Sequence, residues 1–151
     1  MRCSHLSVDQ CPFERRLSRM FDAPLMWCPA MPSIRLLPDE DKSTPQLDLL
    51  ARVERELPVR LDQERTDMVV CHGDPCMPNF MWTLNSSMHG SDRLGRLGTA
   101  DRYADLALMI ANAEENWQRQ MKQSAPSLSY QCIGDRSPDR ERLAFYLRLT
   151  L

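Results

Sequence analysis

Apolar side chains recur every three or four residues along two segments, which predicts two long helices. In residues 44–61 these positions lie on one face, and Thr44 followed by Pro45 is typical of a helix start. Pro58 should kink or end this helix, because proline lacks the N–H group that the helical hydrogen bonds need. In residues 101–117 the period continues with a high alanine content, which favours a helix.

Shorter patterns predict the remaining elements. Residues 11–21 and 137–149 have the helical period and predict two short helices. Residues 68–71 form a β-prone apolar run, which predicts a strand, and residues 80–84 predict a second strand followed by a turn. The returning segment, residues 88–93, contains a glycine and two charges, so we do not expect it to form a regular strand. The predicted class is mainly α with a small β-hairpin.

Composition excludes several classes of function. A chain of 151 residues and 17.5 kDa can form one domain with a core. The formal net charge of −2 and the pI near 5.9 argue against nucleic-acid and membrane-surface partners. No apolar run is long enough to span a membrane and no signal-like segment is found, so we expect a cytoplasmic protein. The 6 cysteines have no metal-ligand spacing and are expected to be reduced.

A polar loop follows the strand predicted at residues 68–71, and it is the candidate site in this sequence. Asp74 precedes Asn79 by five residues, and Pro75 and Pro78 restrict the backbone between them. A carboxylate can accept the proton of a hydroxyl, and an asparagine oxygen is a hard ligand that suits Mg²⁺. The pair therefore indicates phosphoryl transfer. A turn without chemistry remains an alternative, since Gly-Asp-Pro is a common turn composition.

Residues 72–79, His-Gly-Asp-Pro-Cys-Met-Pro-Asn, resemble the catalytic loop H-G-D-x-x-x-x-N of the aminoglycoside phosphotransferases, which share the protein-kinase fold. The resemblance is greatest to the members of this family that act on streptomycin. It extends over four blocks, residues 4–21, 37–81, 94–117 and 138–149. It implies that residues 1–151 form part of the C-terminal lobe of a kinase-like α+β fold. The implied function is transfer of the ATP γ-phosphoryl group to a drug hydroxyl, which confers antibiotic resistance.

The resemblance also implies roles for four residues of the chain. Asp74 would be the catalytic base toward the hydroxyl of a streptomycin-like substrate, and Asn79 would be a magnesium ligand. His72 and Asp105 would support the loop structurally, Asp105 through hydrogen bonds. The implied cofactors are Mg²⁺ and ATP, and neither a nucleic acid nor a membrane is an implied partner.

The second metal ligand of the family does not align with an acidic residue in this chain. In the family this aspartate stands two residues before a glycine, and counting back from Gly95 places Arg93 there. Asp92 lies one residue earlier, where a strand turns the side chain to the opposite face. Asp92 would therefore bind the metal only if a β-bulge restored its direction.

Two further features depart from the family. No glycine-rich phosphate loop and no nucleotide-binding residue is found in the sequence. The resemblance begins near the family's hinge region. The N-terminal lobe would therefore have to come from elsewhere, for instance from a separate chain. Three intervals, residues 22–36, 82–93 and 118–137, diverge from the family, and local reading-frame changes would account for them. Because residues 118–137 have no apolar period, we expect the last helix to be poorly tethered.

These departures leave two hypotheses about activity. The first is that the chain is the kinase-fold lobe of an aminoglycoside phosphotransferase. Positioning of the phosphates and the charge of the metal both contribute to the rate of phosphoryl transfer, and this chain departs from the family in both. We therefore expect these 151 residues alone not to phosphorylate streptomycin. The alternative is a non-catalytic helical remnant that at most binds a partner.

Overall fold

The computed structural model describes residues 7–22, 36–76, 79–82, 88–91, 94–120 and 138–149. In these residues the helices are α1 (Leu17–Asp22), α2 (Gln46–Thr66), α3 (Arg102–Gln120) and α4 (Arg140–Arg148). The strands are β1 (Met68–Cys71), β2 (Phe80–Trp82), β3 (Met88–Ser91) and β4 (Gly98–Asp101). Short 3-10 turns lie at Val8–Gln10 and Leu94–Arg96. The architecture is mainly α with a small β-hairpin, as the sequence predicted, and has in addition an antiparallel pair of β1 with β4 that the sequence did not predict.

β1 and β4 form an antiparallel pair that positions the loop after β1. The register runs from Met68 opposite Asp101 to Cys71 opposite Gly98. The loop therefore leaves the pair beside the start of β4, and Asp101 lies at the other end of the same pair.

The segment before α1 adds to the free edge of β4. Thr99 donates its N–H to the Phe13 carbonyl over 2.8 Å, and Arg15 donates its N–H to the Thr99 carbonyl over 2.9 Å. The prediction of a helix over residues 11–21 is therefore wrong in its first half. The backbone groups that a helix would use are committed to β4, and Phe13 is 58% exposed.

β2 and β3 form the predicted hairpin, and the returning strand was expected not to be regular: Met88–Ser91 does pair as a strand, but with one irregularity in its register. Gly90 lies opposite Met81, while Met88 lies opposite Trp82, which leaves His89 as an extra residue and makes a bulge. Strand pairing uses backbone groups, so the lack of an apolar run in this segment did not prevent it.

The sequence predicted that Pro58 would kink or end the helix, and α2 continues through it, so the proline does not end the helix. The side chains of Pro58 and Glu54 are exposed, so the carbonyl that loses its helical partner lies on the water-facing side of the helix. Pro45 occupies the position before the first helical residue, and the Thr44 hydroxyl donates instead to the carbonyl of Glu40. The helix therefore begins close to the predicted start, but the Thr44 side chain does not cap it.

α2, α3 and α4 pack around the core, and α4 contributes the most deeply buried large side chain, Phe145, at 0% exposure. The remaining core residues are Leu17, Leu37, Leu49, Val53, Tyr103, Leu106, Ala107, Ile110, Ala111, Leu143, Tyr146 and Leu147. Asp139 begins α4, and its carboxylate accepts the N–H of Arg142 over 3.1 Å. The expectation that this helix would be poorly tethered is wrong, because its side chains complete the core.

The divergent intervals of the sequence fall largely outside the described residues. Residues 23–35, 83–87, 92–93 and 121–137 are among those not described. Within the described part of the chain, no helix combines the length and hydrophobicity needed to cross a membrane.

Candidate active site

Gly73 makes the turn that follows β1. Its φ of +83° lies in the left-handed region that favours glycine. A Cβ atom at this position would overlap the guanidinium group of Arg15 and the carbonyl oxygen of Arg96. Backbone conformation and lack of space therefore both require glycine here.

Asp105, in the first turn of α3, holds the backbone of this loop. Its carboxylate accepts the N–H of His72 over 2.6 Å and the N–H of Gly73 over 2.8 Å. Burial raises the pKa of the Asp105 carboxyl, and the two N–H groups partly offset this by stabilising the carboxylate. The resemblance implied such hydrogen bonds, and their importance for catalysis stays a prediction.

His72 is buried at 1% exposure, and its Nδ1 accepts the backbone N–H of Asp74 over 3.2 Å. This bond requires an unprotonated Nδ1 and orients the ring toward the loop. The geometry is that of a structural residue, which is the role the sequence predicted for His72.

Asp74 projects from the loop and is only half-buried. Its Oδ1 accepts the thiol of Cys76 over 3.0 Å, and its backbone carbonyl accepts the N–H of Cys76 over 2.8 Å. Burial, followed by the hydrogen bond to Asp74, raises the pKa of the Cys76 thiol to about 12, so at neutral pH the sulfur keeps its proton and donates it. Among the described residues, no cationic side chain forms an ion pair with Asp74.

Asn79 lies against the same loop at 5% exposure. Its Nδ2 donates to the backbone carbonyl of Asp74 over 2.8 Å, and its backbone N–H donates to the carbonyl of Cys76 over 2.9 Å. The side-chain bond fixes which end of the carboxamide is nitrogen and which is oxygen. An oxygen held in this way fits a hard cation such as Mg²⁺.

A second metal ligand stays a prediction. Asp92 and Arg93 lie outside the described residues, and the bulge at His89 is in the strand that leads to them. Within the described parts of the chain, no three Asp, Glu, His or Cys side chains are grouped so that they could hold a metal ion.

Sequence reasoning missed Cys76 and Asn112. The Nδ2 of Asn112 donates to the Leu108 carbonyl over 3.0 Å and also lies 3.4 Å from the sulfur of Cys76. The sequence contains one signal for this contact, because Asp105 and Asn112 are seven residues apart and therefore lie on the same face of a helix.

Asp101 and Arg142 form an ion pair that the sequence did not reveal. The Oδ1 of Asp101 accepts the N–H of Tyr103 over 2.9 Å at the start of α3. Its Oδ2 also accepts from Nε of Arg142 over 3.0 Å, from Nη2 of the same guanidinium, and from the Tyr146 hydroxyl over 2.8 Å. Burial raises the pKa of Tyr146, which keeps the hydroxyl a neutral donor. This network secures α4 at the opposite end of β4 from the loop.

Comparison with known sequences gives consistent matches along the chain. The sequence profile of the phosphotransferase enzyme family matches residues 4–146. The streptomycin 3''-kinase of Streptomyces griseus is 42% identical over 152 residues, covering 98% of this chain and 55% of the relative. The aminoglycoside 3'-phosphotransferase of Streptomyces fradiae is 32% identical over 143 residues, covering 93% and 52%. The chain thus spans about half the length of the curated relatives it matches.

Solved structures give the same result. Aminoglycoside phosphotransferase APH(3'')-Id from Streptomyces rimosus ATCC10970, in complex with ADP and streptomycin, superposes with a TM-score of 0.79 at 39% identity, covering 99% of this chain and 58% of that structure. The aminoglycoside-3'-phosphotransferase of type VIII superposes with a TM-score of 0.70 at 29% identity, covering 97% and 54%.

Proposed function

This chain belongs to the phosphotransferase enzyme family, and we propose that it forms the C-terminal lobe of an enzyme that transfers the γ-phosphoryl group of ATP to a streptomycin hydroxyl. The fold predicted from the sequence, part of the C-terminal lobe of a kinase-like fold, is confirmed by the solved relatives. The observation that carries the proposed chemistry is the Asp74 carboxylate, which is half-buried, accepts a hydrogen bond from a neutral thiol and forms no ion pair among the described residues.

In this proposal Asp74 orients the attacking hydroxyl and accepts its proton. Its Oδ1 is occupied by the Cys76 thiol, whereas Oδ2 has no hydrogen-bond partner among the described residues. We propose that Oδ2 receives the drug hydroxyl. Asp105 and Asn79 act on the backbone of the loop and keep this carboxylate at a fixed position.

Asn79 would hold Mg²⁺ through its side-chain oxygen, and Asp92 would be the second protein ligand. The cation, when bound, neutralises charge on the nucleotide phosphates as the phosphoryl group is transferred. A cytoplasmic location, where ATP is available, is part of the same proposal.

The nucleotide clamp is proposed to lie in the other half of the fold. The 151 residues include no glycine-rich phosphate loop and correspond to 55% of the length of the Streptomyces griseus kinase. We propose that transfer requires that other half, supplied in the same chain or as a separate one, and that the 151 residues alone bind streptomycin without phosphorylating it.

The first test joins the missing N-terminal half of the Streptomyces griseus kinase to this chain and measures transfer of labelled phosphate from ATP to streptomycin. Asp74→Asn should lower the rate by about 10²–10⁴-fold, the usual contribution of a general base. It should change the free energy of unfolding by less than about 0.5 kcal/mol. Asp48→Asn, at an exposed position on α2, is the matched control. Equal transfer by the two variants would refute the role of Asp74.

Drug binding is tested separately on the 151 residues by thermal unfolding followed through tryptophan fluorescence. Streptomycin at 100 times its Kd should stabilise the native state by about 2.7 kcal/mol, since a ligand that binds only the folded chain must do so. A broad transition that the drug does not shift would favour the alternative, a non-catalytic remnant.

A further inference from the structure

We infer that Arg15 is a positioning residue that fixes the Asp74 loop relative to the turn at Leu94–Arg96. The inference deepens the proposed function and rests on it. Asp105 holds the loop from one side, and Arg15 contacts it from the segment that lies on β4, so the two residues together set the position of the base.

The backbone of Arg15 is held on β4, and its side chain extends from there to the loop. Its N–H donates to the Thr99 carbonyl over 2.9 Å, in the segment that pairs with β4. From this position Nη1 donates to the carbonyl of Arg96 over 3.0 Å, a contact between residues 81 positions apart in sequence. The side chain therefore joins the edge of β4 to the turn that precedes it.

Two glycines make the space that this side chain occupies. A Cβ atom at Gly98 would lie 2.7 Å from Cγ and 3.2 Å from Cδ of Arg15. A Cβ atom at Gly73 would overlap the guanidinium group. Because Gly98 pairs with Cys71 at the end of β1, the arginine stem crosses β4 where the loop begins, and its head lies against the loop itself.

The charges on the two sides of Gly73 are opposite. Asp105 accepts the N–H of Gly73, while the guanidinium of Arg15 lies against the Cα of the same residue. Burial lowers the pKa of Arg15, and the negative charge of Asp105 opposes that effect. The guanidinium is therefore partly desolvated, and what compensates it among the described residues is the hydrogen bond to the Arg96 carbonyl and the negative charges of Asp105 and Asp74.

These contacts bear on the position of Asp74. The turn at Leu94–Arg96 begins two residues after Asp92, the proposed second metal ligand, in the sequence, and Asp74 comes directly after Gly73. The bond from Arg15 to the Arg96 carbonyl therefore links a turn that is close in sequence to the proposed ligand with the loop that carries the base. Misplacement of a reacting group by about 1 Å can cost about 100-fold in rate.

The test compares Arg15→Ala and Arg15→Lys with Arg19→Ala, an exposed arginine in the adjoining helix α1. In ¹H–¹⁵N spectra of the 151-residue chain, Arg15→Ala should shift the amide signals of Gly73, Asp74 and Leu97, the residue after the Arg96 carbonyl. Arg15→Lys, which keeps a donor and a charge, should restore part of the shift. Arg19→Ala should leave these signals in place. Shifts of equal size in Arg15→Ala and Arg19→Ala would overturn the inference.

A second variant keeps the inference testable if Arg15→Ala does not fold. Gly98→Ala retains the arginine but displaces its stem, and it should shift the same three amide signals. Signals that move only in the core around Phe145 would show a general structural effect and would overturn the inference.

Activity of the joined protein separates this inference from the proposed function. Arg15→Ala should lower kcat by about 10- to 100-fold while the KM for streptomycin changes less than about twofold. Unchanged kcat in a protein that transfers phosphate would overturn the positioning role alone. If the joined protein with Arg15 intact transfers no phosphate, the proposed function fails, and the amide signals still decide whether Arg15 sets the loop.

Discussion

Asp101 and Asp74 lie near opposite ends of the β1–β4 pair, and their surroundings differ in charge. Asp101 is 0% exposed and is bonded to the guanidinium of Arg142 and the hydroxyl of Tyr146. Asp74 is half-buried, is bonded to the thiol of Cys76, and has no ion pair in the described parts of the chain. The Asp101 carboxylate is paired with a cation inside the protein, while Oδ2 of Asp74 has no hydrogen-bond partner among the described residues.

The difference separates a role in stability from a role in chemistry. A carboxylate whose oxygens are bonded to a buried cation cannot accept a proton without breaking that pair, so Asp101 stabilises the fold. A carboxylate held by neutral donors keeps its charge available for a hydroxyl. Solvent exposure and charge pairing therefore identify the candidate base better than the presence of an aspartate does.

The largest loss of stability is expected at the end of the β1–β4 strand pair that carries Asp101. Arg142→Ala should destabilise the protein by about 3–5 kcal/mol, because it leaves the buried charge of Asp101 without its partner. Arg142 also bonds Asp67 through Nη1 over 2.7 Å, which adds to the loss. Urea unfolding measures the change, and Arg140→Ala, on the exposed face of the same helix, is the control. A loss below about 1 kcal/mol would contradict the distinction between the two ends.

A smaller loss of stability is expected at the other end of the strand pair, where Asp105 holds the loop after β1. Asp105→Ala removes the acceptor of two backbone N–H groups and should cost about 1.5–3 kcal/mol. Hydrogen exchange should accelerate at His72 and Gly73, while the amides of α4 change less. Asp105→Asn retains one acceptor oxygen and should lose less stability. Equal losses in both variants would mean that the carboxylate does not hold the loop.

The smallest effect on stability is expected at Glu64, a buried carboxylate on α2. Its side chain accepts the N–H of Leu17 over 3.0 Å, and Asp101 and Arg16 lie nearby. Burial raises the pKa of Glu64 above its usual 4.5. Its contribution to stability is therefore complete below pH 4.5 and is lost as the pH rises through the folded-state pKa.

Glu64→Gln should remove this component of the pH dependence. The variant should gain stability relative to the unmodified chain as the pH rises from about 4 to about 7, measured by urea unfolding at each pH. Glu54→Gln, on the exposed side of α2, should show no such trend. A difference between Glu64→Gln and the unmodified chain that stays constant with pH would contradict the expectation.

Sequence patterns predicted the elements that depend on neighbouring residues. The two long helices, the strand at Met68–Cys71 and the loop at Gly73 follow from period, β propensity and turn composition. The continuation of α2 through Pro58 could not be predicted from the sequence pattern. Whether the helix tolerates the hydrogen bond that proline removes depends on which side of the helix faces water.

Contacts between distant residues could not be predicted in the same way. Arg142 pairs with Asp101 across 41 residues, and Arg15 bonds the Arg96 carbonyl across 81. Such pairs leave no periodic signal, and the helix predicted over residues 11–21 assigned Arg15 to the wrong local structure. The part of the site that the sequence predicted is the loop itself, and the part it missed is the set of side chains that hold it.

Helix α4 also affects the order of events during synthesis. Arg148 bonds Asp41, a fully buried residue 107 positions earlier, and α4 supplies Phe145 to the core. At about 5–20 residues per second, a ribosome needs roughly 5–20 seconds to add the residues between the two partners. During that interval Leu49 and Val53 have no completed core to enter. The apolar side chains that pack against Phe145 therefore stay exposed on the nascent chain until α4 has been synthesised.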